Sequence, residues 1–243
     1  MLNNKLIDQG LWLFKFRGQF PILILFLSLI SVFFDSTQVS RQNLYLAQGI
    51  GYVFIGIGFC IRFWVVGFRS TFSSGRNRTH HHTEVLEKKG WYSVCRNPLY
   101  LGNYLMWLGL IVGLANLYLI AIVSLIYWVY IERIIFSEEV YLSNKFKEEY
   151  IAWCESTPVF FPNFTLWKTN PNSFSFKTVL KNEYPGISAA MSCAFLVELM
   201  NTYSVEQQLE ISSTHICIGI AIATFGFGMK FLKHKTRFFK EFD

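Results

Sequence analysis

Residues 97–131 run for 35 positions without one charged side chain. As a single straight helix that run would measure about 50 Å, well beyond the roughly 30 Å of a bilayer's hydrocarbon. It has to fold back on itself. Gly113 and Asn116 lie near its middle and both suit a tight turn, so the pattern predicts two short antiparallel helices, over 99–113 and 117–131.

Other stretches reach the same class. Residues 11–34 form an apolar run that is uncharged from Gly18 onward, and residues 43–61 carry no charge and continue to Phe68 past Arg62, which is expected to snorkel to the interface. Residues 187–203 are apolar apart from Glu198, and residues 211–229 are uncharged. The expectation is an all-α, polytopic integral-membrane bundle of about six spans. Only 16% of the residues are charged, against roughly 25% for an ordinary soluble domain, which agrees.

Lys and Arg test the topology independently, because basic loops are retained in the cytoplasm. With both termini inside, 21 of the 22 basic residues fall on cytoplasmic segments or their membrane ends, and only Arg41 falls outside. The net charge of +6 is thereby explained by an inner-leaflet face that attracts anionic headgroups, with no nucleic-acid partner needed. Lys15 and Arg17 precede an apolar run with no small-residue cleavage pattern after it, so the first span is expected to be retained. The five cysteines form no CxxC pair and read as reduced and structural.

Two cytoplasmic segments carry most of the polar chemistry. The first, 69–96, contains Arg76, Arg78 and the run His80 to His82, then Leu86, Gly90 and Tyr92. Arg96 and Asn97 follow, with Pro98 placed to occupy a helix's first turn without losing a needed hydrogen bond. The second, 132–186, opens with Glu132, Arg133, Glu138 and Glu139; on a continuing helix Glu138, Leu142, Phe146 and Tyr150 form one stripe. The two segments flank the uncharged hairpin and are expected to close over one site.

These residues resemble the integral-membrane methyltransferases related to isoprenylcysteine carboxyl methyltransferase and the phospholipid N-methyltransferases. That family's pattern is Gly-x-Tyr, then Arg-His-Pro-x-Tyr-x-Gly, a helical hairpin, and Glu-Glu-x-x-Leu-x-x-x-Phe-Gly-x-x-Tyr. Here the positions read Gly90 and Tyr92; Arg96, Asn97, Pro98, Tyr100 and Gly102; and Glu138, Glu139, Leu142, Phe146, Lys147 and Tyr150. Asn97 replaces the usual His and cannot take up a proton near neutral pH; Lys147 replaces the usual Gly. The resemblance covers about residues 50–162. It divides the chain into N-terminal helices (1–68), a methyltransferase core (69–162) and a C-terminal extension (163–243).

The resemblance implies S-adenosylmethionine as cofactor and a lipid or lipid-anchored acceptor, either an oxygen nucleophile (a lipid phosphate such as that of lipid A, or a prenylcysteine carboxylate) or a phospholipid amine. It implies a cofactor set of Leu86, Gly90, Tyr92, Arg96, Pro98, Tyr100, Gly102, Glu138 and Glu139. Arg96, Asn97, Arg133 and Glu139 form the expected catalytic set, and Arg76, Arg78 and His82 the expected acceptor contacts. The chemistry agrees, since carboxylates hold an ammonium, Arg a carboxylate, and tyrosine faces an adenine or sulfonium.

Other readings stand beside these. Arg96 also suits a positive-inside anchor, Glu138 and Glu139 a solvated helix face, and Tyr92 and Tyr100 an interfacial belt. Three adjacent histidines without an acidic or cysteine partner make a poor zinc site, and no metal is expected. Glu198 is costly in hydrocarbon unless it reaches water or a partner. An intramembrane sterol-type reductase using NADPH and a non-catalytic membrane protein are the alternatives from other classes.

Overall fold

The computed structural model describes residues 2–34, 39–69, 83–208, 211–236 and 238–239. These form nine α-helices and no strand beyond one isolated bridge. In order they are α1 (Leu2–Lys15), α2 (Phe20–Phe34), α3 (Arg41–Gly67), α4 (Trp91–Val94), α5 (Pro98–Val112), α6 (Leu117–Phe146), α7 (Glu148–Ser156), α8 (Phe176–Glu206) and α9 (Ser213–Lys235). The all-α membrane bundle expected from the apolar runs is the observed class. α3, α6 and α9 are long and apolar enough to cross a membrane, and the pair α1 and α2 makes a fourth candidate. The outward faces suit lipid: on α6, Leu117, Ile122, Leu125 and Val129 are exposed while Val123, Tyr127, Tyr130, Ile131 and Ile134 are buried.

Several expected boundaries shift for physical reasons. The run 11–34 is broken, with α1 and α2 bent by 76° around Lys15, Arg17 and Gly18, where charge and a glycine interrupt the apolar pattern. α1 then lies along the C-terminal half of α6, close enough that a Cβ on Gly10 would meet the Arg133 carbonyl at 2.2 Å. The hairpin turns at 113–116 as expected, with Asn116 accepting from the Leu119 N–H as N-cap, but its second helix runs on to Phe146. The expected fifth span is the end of a longer helix that begins at Phe176.

The most extensive packing is α3 against α5. A Cβ on Gly58 would sit 2.6 Å from the Gly102 carbonyl oxygen, and one on Gly51 only 2.4 Å from that of Gly109. Both pairs are spaced seven residues, two turns apart on each helix, so the backbones touch along one small-residue seam. Leu25, Leu110, Ile111 and Val197 pack one end of the bundle; Phe14, Ile61, Leu101, Tyr127, Ile131 and Phe160 pack the other.

α8 runs antiparallel to α3 and is joined to it by polar contacts. Arg41 pairs with Glu206; Gln48 donates to Glu198 (2.8 Å); and Arg62 forms a two-pronged pair with Glu183, at 2.7 and 2.9 Å. The expectation that Arg62 snorkels outward is therefore corrected: its partner is the buried Glu183 across the bundle. Glu198, also contacted by Tyr52 at 3.4 Å, has likewise found its partners on α3, at the edge of the bundle. Pro185 within α8 has no N–H to offer the Lys181 carbonyl, and that oxygen accepts from Lys233 of α9 instead (3.1 Å).

Candidate active site

The first turn of α5 is the hub. Pro98 at its start needs no hydrogen bond, and the segment before it is zipped to the chain after α7. Arg96 N–H donates to Pro158 O (2.8 Å), Asn163 N–H to Val94 O (2.9 Å), and the Cys95 thiol to Phe160 O (3.0 Å). Asn97 donates its side-chain amide to Val159 O (3.0 Å), so this residue in place of the usual His ties down the same segment. Burial raises the Cys95 thiol to about 11, against an ordinary 9.0.

Gly90 takes φ +61° and ψ −134°, a conformation open to glycine and strained for any other residue. That turn lets its N–H donate to Lys168 O (2.8 Å), while Ser93 Oγ receives the Lys168 N–H and donates to Gly90 O. A pocket beside it is lined by Trp64, Arg69, Glu87, Gly90, Tyr92 and Asn170 among others. Tyr92 O accepts from the Trp153 indole (3.2 Å), and burial holds its phenol well above the usual range. Burial lowers the Arg69 guanidinium from its ordinary value.

The two halves of the sequence pattern meet across the hairpin. Tyr100 donates to Glu138 Oε1 at 2.9 Å, and Tyr127 donates to the Tyr100 carbonyl at the same distance. Arg96 Nη1 lies 3.2 Å from Glu139 Oε1. That ion pair is not aligned as a hydrogen bond: Arg96 Nε and Glu139 Oε1 are both buried and have no hydrogen-bond partner within the described residues. Burial would lower the Arg96 guanidinium, but Glu139, with Cys154 and Tyr150 beside it, holds it above its ordinary value. The pair thus has charge compensation, but Arg96 Nε and Glu139 Oε1 each keep unused hydrogen-bonding capacity at a buried position, which is uncommon.

Arg96, Tyr100, Glu138 and Glu139 are thus brought together, with Gly90 and Tyr92 on the adjoining pocket. Arg133 is turned elsewhere, beside Glu132 (3.8 Å), on the part of α6 where α1 packs. Gly102 lies beneath the stem of Arg62, where a Cβ would meet Cγ at 2.7 Å, and Pro98 is buried at the helix start. Leu86 is half-buried in the chain before Gly90. Arg76, Arg78 and His82 lie outside the described residues, and no cluster of His, Cys, Asp or Glu suited to a metal occurs among those that are described. Tyr150, the last position of the sequence pattern, stands beside Arg96, while sequence reasoning missed Tyr127, Cys154 and Arg17, the last brought within electrostatic reach of Glu138 by the bend between α1 and α2. Their signal was weak: tyrosines on an apolar run read as packing.

Residues 46–149 match the phospholipid methyltransferase family. The matched segment begins within α3 and ends in α7, so it holds the Gly58–Gly102 seam, the hairpin and every residue of the Arg96, Tyr100, Glu138 and Glu139 cluster. Two curated proteins are similar to the chain. The cobalt-zinc-cadmium resistance protein CzcN of Cupriavidus metallidurans is 30% identical over 135 residues, 55% of this chain and 56% of that protein. The nickel-cobalt-cadmium resistance protein NccN of Alcaligenes xylosoxydans xylosoxydans is 30% identical over 135 residues, 56% of this chain and 57% of its own length. The match thus spans little more than half of each relative. No solved structure matches.

Proposed function

We propose that this chain is an S-adenosylmethionine-dependent methyltransferase of the membrane, acting on a lipid-bound acceptor. The observation that carries the reading is the Arg96–Glu139 ion pair, whose buried Nε and Oε1 make no hydrogen bond within the described residues. An amino acid's carboxylate and ammonium satisfy such a pair together, the first accepting from Arg96 and the second donating to Glu139, both as charge-assisted hydrogen bonds. Trp64, Trp91 and Tyr92 around the neighbouring pocket offer aromatic faces to an adenine, with Asn170 as a hydrogen-bonding amide. The family match over the same segment supports the reading.

S-adenosylmethionine, when bound, supplies an electrophilic methyl group. The chain's own part is to orient and to exclude water. Arg96 and Glu139 fix the donor's charged end, the Tyr100–Glu138 bond holds the inner wall, and the 158–163 segment covers the hub. An acceptor anchored in the inner leaflet brings its headgroup to this depth. An oxygen nucleophile, a lipid phosphate or a prenylcysteine carboxylate, is the preferred acceptor because the basic segment before Gly90 favours an anion; a phospholipid amine is the alternative.

Calorimetry on the detergent-purified chain tests this. S-adenosylhomocysteine binds in the micromolar range, NADPH does not, and Glu139→Gln or Arg96→Gln weakens binding by roughly tenfold or more, the loss of about one charge-assisted hydrogen bond. Binding of NADPH in place of the methyl-donor product would move the chain to the reductase class.

A further inference from the structure

The site's walls are held from outside the segment that matches the family. Arg62 of α3 passes its stem over Gly102 and spreads its guanidinium between two helices. Nε and Nη2 donate to both oxygens of Glu183 on α8, while Nη1 donates to Asn103 Oδ1 at 2.6 Å and reaches Leu99 O at 3.5 Å. Leu99 and Asn103 belong to the first two turns of α5, one on either side of Gly102. The first is the turn whose Tyr100 binds Glu138 and whose preceding residue Arg96 faces Glu139.

We propose that Glu183 is a positioning residue of this site: by fixing the Arg62 guanidinium it sets the first turn of α5, and through that turn the placement of Arg96 and Tyr100. The inference rests on the methyl-donor reading for its functional consequence, and on geometry alone for its mechanical one. Glu183 is 3% exposed and touches no residue of the donor cluster directly in the hydrogen bonds described, so its influence passes through Arg62. With the carboxylate replaced by an amide, a buried guanidinium loses its counter-charge and one of its two acceptors there, meets an NH2 donor in its place, and is drawn toward other acceptors or water. The Leu99 carbonyl and Asn103 amide then lose their anchor. Displacement of a binding group by even an ångström is costly to a site that works by orientation.

A merely structural role for α8 makes a different prediction, and the helix supplies its own control. Glu198 joins the same two helices by the same kind of contact, to Gln48 and Tyr52, about four turns farther from the site. The experiment compares Glu183→Gln with Glu198→Gln in the full chain, reading hydrogen exchange over residues 97–103, S-adenosylhomocysteine affinity by calorimetry, and the thermal midpoint. Both variants lower the midpoint. Only Glu183→Gln speeds exchange at 97–103 and weakens the ligand, by about tenfold or more. The double variant Arg62→Gln, Glu183→Gln, which leaves no unpaired buried charge, shows the same exchange and affinity as Glu183→Gln, because both act through one link. It also serves if Glu183→Gln alone does not accumulate.

Unchanged exchange and affinity in Glu183→Gln, or equal loss in Glu198→Gln, overturns the proposal. Wild-type chain that binds no S-adenosylhomocysteine overturns the methyl-donor reading instead, and faster exchange at 97–103 in Glu183→Gln then still upholds the mechanical link.

Discussion

Cys95 shows how one side chain reports on the hub. Its sulfur is buried, donates to Phe160 O, and is raised to about 11 by the loss of water. The folded chain therefore keeps a proton that the unfolded chain releases from about 9 upward. Between pH 9 and 11 the unfolded state binds fewer protons than the native one, so stability falls as pH rises through that window. The expected outcome is that a maleimide at pH 8.5 leaves Cys95 unmodified in the folded protein and labels it fully after unfolding in detergent, as peptide mapping will read. Labelling of the folded form would mean that the zipper between 94–97 and 158–163 is open. Asn97 belongs to the same zipper, and its presence in place of a histidine removes a proton carrier while keeping a bond to Val159. A sequence displays that substitution but not which atom the amide will meet.

Helix by helix, the seam between α3 and α5 sets the spacing of everything else. Gly58 faces Gly102 at backbone contact, while Gly56, two residues away, faces open space. Gly58→Leu forces a side chain into that contact and is expected to cost about 1–3 kcal/mol or more, whereas Gly56→Leu leaves the thermal midpoint near that of the parent. Equal effects would contradict the seam. The uncharged run at 97–131 and the turn at 113–116 were legible because both depend on local residues: a charge-free length and an Asn that caps. The break between α1 and α2 was half legible, since Lys15, Arg17 and Gly18 were visible as an interruption, but its 76° bend depends on α6 being there to receive α1. The early start of α8 was hidden, because Lys177, Lys181 and Glu183 look like loop residues until Arg62, Lys233 of α9 and the Phe238–Phe239 stretch after it supply their partners.

Across the whole molecule, the matched segment of 46–149 is incomplete as a structural unit. The chain after it caps α3, with Ser175 N–H on Gly67 O and the side chains of Asn170 and Asn172 both donating to Phe68 O. It then delivers Glu183 to Arg62. A chain ended after Lys168 strands the Arg62 guanidinium, which is only 17% exposed, without its carboxylate, and losing one partner of such a pair costs about 3–5 kcal/mol. Size-exclusion and thermal unfolding in detergent are expected to show the shortened chain aggregated or strongly destabilised; a well-behaved truncation at the parent's midpoint would show that α8 and α9 are accessory. The division of the chain at residue 162 therefore follows the motif, while the packing crosses it. In the site, Arg96, Glu138 and Glu139 were picked out through the resemblance to the family's pattern, but the hydrogen-bonding capacity left at Arg96 Nε and Glu139 Oε1 arises only where two helices and a loop converge.

The contacts between α3 and α8 also bear on how such a chain tolerates insertions and deletions. Its ties fall at Arg41, Gln48 and Arg62 on one helix and at Glu206, Glu198 and Glu183 on the other, so the numbers of each pair add to nearly the same value. One residue added to α8 between Glu183 and Glu198 turns everything beyond it by about 100° and slides it 1.5 Å, and no pair on that side survives. The same residue added between α6 and α8 changes none of them. Length variation among chains built this way belongs in the connecting segments, and two helices far apart in sequence are bound to keep count together.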